Sequence, residues 1–210
     1  MKRTTAIVLV VALAGCSLQP TYYQTQKEEA IALRKGDLES AGIAFITPST
    51  VTGQEQEKQA VALAFADVLK QQRPGLKVTT LAETLSAVNR AGLAEPYKRM
   101  YDDYRDTGLF SSDTLRRVSQ ATGTRYVAQL KLQGFGQSSK GRFGLLGLRL
   151  VETLIGDIRV YLQIWDSRDG SIAWEGMQEL RISRDSTTEE PVTMHILLER
   201  SAQDLVAKLP

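Results

Sequence analysis

The chain of 210 residues is 42% hydrophobic and 24% charged, the size and balance of one ordinary domain or of a domain with an extension. Lys and Arg number 26 against 24 Asp and Glu, a formal net charge of +2, so nothing in the charge points to nucleic acid. One histidine and one cysteine exclude the common zinc sites.

Met1, Lys2 and Arg3 make a basic start, an apolar run follows to Ala14, and no charge recurs before Lys27. This is the layout of a secretory signal. The run falls short of the roughly 20 apolar residues that cross a bilayer core, so removal is expected rather than a permanent span. Leu13, Ala14, Gly15 and Cys16 resemble the lipobox of bacterial lipoproteins, Leu-Ala-Gly-Cys. The resemblance implies a signal peptide over 1–15, a diacylglyceryl group on the Cys16 sulfur, cleavage before Cys16 and further acylation (palmitate) of the new N-terminus. Each buried CH₂ is worth about 0.8 kcal/mol, so several chains on one residue anchor durably where one does not. Ser17 stands where an Asp would signal inner-membrane retention, which implies the outer membrane, facing the periplasm. Lipidation also spends the only thiol, leaving none for a disulfide or a nucleophile.

Residues 16–40 read as the lipidated N-terminus and a short polar tether, with a helical patch at Glu28 to Lys35. At about 3.5 Å per residue the tether reaches roughly 80 Å at most, keeping the domain close to its membrane. Residues 41–210 are expected to form a single periplasmic domain. Within it, 42–49 (GIAFITPS) reads as a buried strand. Val61, Phe65, Val68 and Leu69 recur at helical spacing in a long helix stopped by Pro74 and Gly75. A short strand (77–81) follows, then a helix bearing Leu85 and Val88 and capped by Gly92. Tyr97, Met100, Tyr101 and Tyr104 share a helical stripe, expected to pack onto the domain, and that helix ends at Gly108. Ser111 or Ser112 then caps a helix with Leu115 and Val118 inward, closed by Gly123.

The C-terminal half changes period from 3.6 to 2. Tyr126, Ala128, Leu130 and Leu132 alternate with polar residues, as do Ile158, Val160, Leu162 and Ile164. A third strand over 171–183 follows the turn 166–170, completing an antiparallel meander. A last helix is expected to return Val192, Ile196, Leu205 and Leu209 to the sheet. The fold class is therefore α/β, a mixed sheet with a three-stranded meander flanked by helices. Between the first two meander strands lies 138–156, apolar residues broken by Gly141, Gly144, Gly147 and Gly156. It reads as a glycine-tolerant loop and strand extension, or as a surface that meets a partner or lipid headgroups through Arg142, Phe143, Leu145, Leu146, Leu148 and Arg149. A membrane-spanning hairpin needs two strands of about 9 to 11 residues, and this stretch is too short for both.

No catalytic constellation emerges. His195 lacks a Gly-x-Ser-x-Gly elbow to serve, and the neighbours Asp102–Asp103 and Glu189–Glu190 do not share a helical face. Asp166 and Asp169 have the positions of turn residues. Gly134-Phe135-Gly136 lacks the third glycine and the following helix of a dinucleotide loop. Neither enzyme activity, cofactor, metal nor small-molecule substrate is expected.

The segments 42–49, 118–132 (VSQATGTRYVAQLKL) and 164–176 (IWDSRDGSIAWEG), in that order, resemble the N-terminal domain of the TolB protein. The same core occurs in the curli-secretion lipoprotein and in lipoprotein activators of penicillin-binding proteins. The likeness covers about 42–207, and its motifs are structural, since fold alone does not carry function. It implies a protein-binding scaffold or assembly factor of the cell envelope, working through another envelope protein or self-association. The alternatives are an oligomeric secretion-channel or transport component and a regulator of a peptidoglycan synthase.

Overall fold

The computed structural model describes residues 20–145, 148–186 and 191–210, with backbone alone at 142–145, 148–151 and 186. The described elements are β1 (Thr21–Ala30), α1 (Asp37–Ala41), β2 (Ile43–Phe45), β3 (Ser49–Thr50), α2 (Glu55–Gln72), β4 (Val78–Thr79) and α3 (Leu81–Arg90). They continue with α4 (Ala94–Thr107), α5 (Ser112–Thr122), β5 (Tyr126–Leu145), β6 (Leu148–Asp166), β7 (Ser171–Ser186) and α6 (Met194–Val206). The strands form one open mixed sheet in the order β1-β7-β6-β5-β2-β4, with β3 pairing β5 off that path. The pairs among β2 to β5 are parallel, whereas β5, β6, β7 and β1 run antiparallel.

Local chemistry sets the helix boundaries. Thr80 and Glu83 form a reciprocal capping box at the start of α3. The Ser111 hydroxyl accepts from the Thr114 amide at the start of α5. Gly108 (φ +75°) and Gly123 (φ +66°) end α4 and α5 in the left-handed region, where a side chain is penalised.

Two apolar cores sandwich the sheet. On the inner face Ile158, Val160, Leu162 and Ile164 of β6 pack with Leu130 and Leu132 of β5 against α2 and α6. On the outer face α3, α4 and α5 cover only one end, burying Val127 and Trp165 under Tyr104, Phe110 and Leu115. Phe110 stacks on Tyr104 (centroids 4.1 Å apart) and meets Trp165 edge-on at 5.1 Å. The expected tyrosine stripe is thus core. Tyr97 and Tyr101 also anchor the β2–β3 link, Tyr97 Oη accepting from the Thr47 amide (2.9 Å) and Tyr101 Oη donating to the Thr47 carbonyl (2.7 Å). Burial raises the pKa of both phenols, so they serve as neutral hydrogen-bonding groups.

Three expectations need correction. The helical patch at 28–35 is absent: 21–30 is strand β1, paired with β7 along its whole length from Thr21↔Ser183 to Ala30↔Trp174. Its helix-facing row is polar because it meets the charged flank of α6. Gln26 Nε2 donates to the Asp204 carbonyl (3.0 Å), Arg200 lies 5.6 Å from the Tyr22 ring centroid, and Glu28 pairs Lys208 at 3.9 Å. Second, α6 buries Leu197, Leu198, Ser201, Ala202 and Leu205, while Ile196 is 42% exposed. Residues 197, 201 and 205 recur every four positions and define the stripe, and 196 falls beside it. Third, the loop part of the reading at 138–156 gives way to its strand extension, because β5 and β6 continue through it as paired strands to Leu145↔Leu148.

Candidate interaction surface

Because side chains alternate across a strand, each cross-strand row of the antiparallel half belongs to one face. Four successive rows lie on the outer face, the last of them touched by Tyr101 and Tyr104 of α4. They are Tyr23–Arg181–Asp157–Gly136, Thr25–Glu179–Arg159–Gly134, Lys27–Met177–Tyr161–Lys131 and Glu29–Glu175–Gln163–Gln129. The first two rows floor a trough of about 1140 Å³ lined by Tyr23, Thr25, Gly134, Asp157, Arg159 and Glu179 among others. A smaller depression of about 200 Å³, between Gln129, Lys131, Tyr161, Gln163 and Glu175, adjoins it towards α4.

Two glycines help to make the surface concave. Gly134 and Gly136 leave β5 without side chains in two outer rows, and a Cβ on Gly136 would sit 2.9 Å from Asp157 Oδ2. Charges in the trough alternate in sign. Arg159 pairs Glu179 at 2.5 Å, Arg181 lies 3.9 Å from Asp157, Gln163 Nε2 donates to Glu175, and Tyr104 Oη donates to Gln163 at 3.2 Å. Solvent-facing pairs of this kind contribute about 0–1 kcal/mol each, so a partner's charges can replace them at little cost.

The carboxylates considered as acid–base candidates are structural. Asp166 accepts from Arg125 (Nη2, 2.6 Å) and Arg168 (Nη2, 3.0 Å; backbone N, 3.1 Å), pinning the β6–β7 turn to the start of β5. Burial raises its pKa, but the hydrogen bonds from Arg125 and then Arg168 outweigh that and hold the carboxyl at about 2, from an ordinary 3.8. The folded pKa lies below the unfolded one, so this stabilisation is complete above 3.8 and is lost as pH falls from 3.8 through about 2. Asp166→Asn should remove that part of the acid limb in a pH series of urea unfolding. An unchanged acid limb would show that the arginine pairs do not stabilise the fold. Asp169 is held low by the backbone and side-chain hydrogen bonds it accepts from Ser171. His195 is exposed on α6, 3.8 Å from Glu199. Among the described residues no three His, Cys, Asp or Glu side chains converge on a metal-sized site, and no helix is long and apolar enough to cross a membrane.

The lipobox residues Leu13, Ala14, Gly15 and Cys16 lie outside the described residues, as do Leu146, Glu189 and Glu190. The backbone of Arg142, Phe143, Leu145, Leu148 and Arg149 falls in the end of the β5–β6 hairpin, with Gly144↔Arg149 and Leu145↔Leu148 in register. The trough is a different surface. Its outer rows were legible as the polar half of each alternating strand, but the contribution of β1 was hidden; the enrichment of Thr21, Tyr22, Tyr23 and Thr25 in strand-forming types was the available signal.

No protein-family model matches the sequence, and no curated protein does. Among solved structures the chain is similar to the PelC dodecamer from Paraburkholderia phytofirmans, at 13% identity over 91% of this chain and 94% of that one (TM-score 0.41). It is also similar to lipoprotein GNA1162 from Neisseria meningitidis, at 16% identity over 80% of this chain and 96% of that one (TM-score 0.41). A third similarity is to the C-terminal domain of LpoB from Salmonella enterica, at 13% identity over 66% and 82% (TM-score 0.34). At such identities and scores these likenesses assign this chain no role, and its function has to be argued from its own surface and N-terminus.

Proposed function

We propose that the protein is a non-enzymatic lipoprotein, anchored through Cys16 to the periplasmic face of the outer membrane, which binds another envelope protein as a scaffold or assembly factor. The observation that carries the reading is the trough itself. A broad concave sheet face with the exposed Tyr23 and exchangeable charges is left uncovered by the described residues, while Asp166 and Asp169 are held in a turn and His195 faces solvent. The lipobox supports the location. Since β1 starts at Thr21, only residues 17–20 separate Cys16 from the sheet, and the tether is correspondingly shorter than 16–40.

A photo-crosslinking amino acid in place of Tyr23, in intact cells, tests this reading. One discrete light-dependent adduct is expected, lost on Arg159→Glu and absent when the probe replaces exposed Lys70 on the helical side. An adduct between two copies of this chain transfers the trough to self-assembly, as a channel component requires. Equal adducts from both positions would sink the assignment of the trough.

A further inference from the structure

The register of the sheet places the N-terminus and the β5–β6 hairpin end on the same side of the molecule. Thr21, the first residue of β1, pairs with Ser183, which pairs with Ile155, which pairs with Ser138. From that row β1 runs away from Cys16 into the sheet, whereas β5 and β6 run the other way, out to Leu145↔Leu148. Seven positions separate Ser138 from Leu145 and Ile155 from Leu148, which at roughly 3.3 Å per residue, less the bulges near Phe143, is about 20 Å. Five peptide steps separate Thr21 from Cys16, so the acylated residue reaches at most about 18 Å past the same row. The lipid attachment and the end of the hairpin therefore lie on one side of the sheet and can reach the same level.

The described end of the hairpin is a two-stranded ribbon. β7 pairs with β6 as far as Glu152↔Ser186, and beyond it the described residues supply no third strand. A two-stranded ribbon is marginally stable in water. The hairpin carries Phe143, Leu145, Leu148 and Leu150 among three cations, Lys140, Arg142 and Arg149, and one acid, Glu152, a net positive composition suited to the boundary between anionic headgroups and acyl chains. We propose that the arms 141–145 and 148–152 of the hairpin dip into the same leaflet that holds the Cys16 lipid. A two-point attachment of this kind fixes the sheet upright and turns the trough sideways along the membrane. The inference rests on the anchor reading above, but it concerns a separate segment, and a lipid surface is a different occupant from the protein assigned to the trough.

The test uses the lipidated full-length product reconstituted into vesicles of phosphatidylethanolamine and phosphatidylglycerol. Since Cys16 is the only cysteine and its sulfur is acylated, Leu148→Cys introduces the only free thiol for an environment-sensitive fluorophore. Its emission should shift to the blue and be quenched by lipids carrying a nitroxide near the headgroup, with Leu145→Cys giving the same result. A probe at Asp169→Cys, in the turn at the opposite end of the sheet, should remain water-like. Acylated, vesicle-bound protein whose 145 and 148 probes are both unquenched overturns the hairpin assignment alone. Mass spectrometry of the N-terminal peptide without acyl mass overturns the anchor reading, and the common level with it.

Discussion

Cys16→Ala is expected to abolish incorporation of labelled palmitate and to leave the N-terminal segment uncut, while the folded domain is unaffected. The effect should be all or none because the chain contains a single cysteine and acyl transfer needs its sulfur. Each acyl CH₂ is worth about 0.8 kcal/mol in the bilayer, so several chains supply far more binding than any surface contact of the domain. The hairpin cannot substitute for them, since two short apolar arms bury much less area than several acyl chains. Fractionation, palmitate labelling and the mass of the N-terminal peptide report the result. A processed Cys16→Ala product that still takes up palmitate would end the lipoprotein assignment.

The second large effect concerns the β7 core. Trp174 is 1% exposed, and its indole lies over Gly176 on the inner face, where a Cβ on Gly176 would come within 2.2 Å of the ring and 3.0 Å of Leu205. Trp174→Ala should cost about 3–5 kcal/mol, a large share of the 5–15 kcal/mol by which domains are stable. Gly176→Ala is the converse lesion: it adds one carbon where the indole already sits, at an expected cost of about 1–3 kcal/mol. The two are coupled through the same space. Gly176→Ala should therefore cost much less in a Trp174→Phe background, because the smaller ring does not reach over residue 176. Urea unfolding of the four proteins measures the cycle. Additive effects would show that the indole does not decide the glycine.

Helices α3 to α5 were legible because their signals act within a turn or two of chain. The Thr80–Glu83 box, the Ser111 cap and the glycines at 108 and 123 satisfy or release backbone groups a few residues away, whatever the rest of the molecule does. The three meander strands were legible for a similar reason, since burial of one face imposes a period of two on β5, β6 and β7. Strand β1 left no such mark. Almost every residue in it is exposed on one face, and on the other its polar side chains meet charged partners on α6, so neither face demanded an apolar row. The full length of the hairpin was hidden for a related reason: glycines at 141 and 144 break the periodicity, although the backbone pairs through them.

The residues in order, with no coordinates, set the resemblance to a lipobox at Leu13 to Cys16, the positions of the caps and turns, the meander, and a content of one histidine and one cysteine. All of these are properties of composition or of neighbours in the chain. The sheet order, the rows that build the trough, the two arginines that hold the turn residue Asp166, and the shared direction of the N-terminus and the hairpin were decided only by tertiary structure. Each depends on pairs such as Thr21 with Ser183 or Arg125 with Asp166, far apart in sequence. Such contacts form because burial and backbone pairing of the whole sheet favour them together, and local propensity carries no record of which distant strand will be the partner.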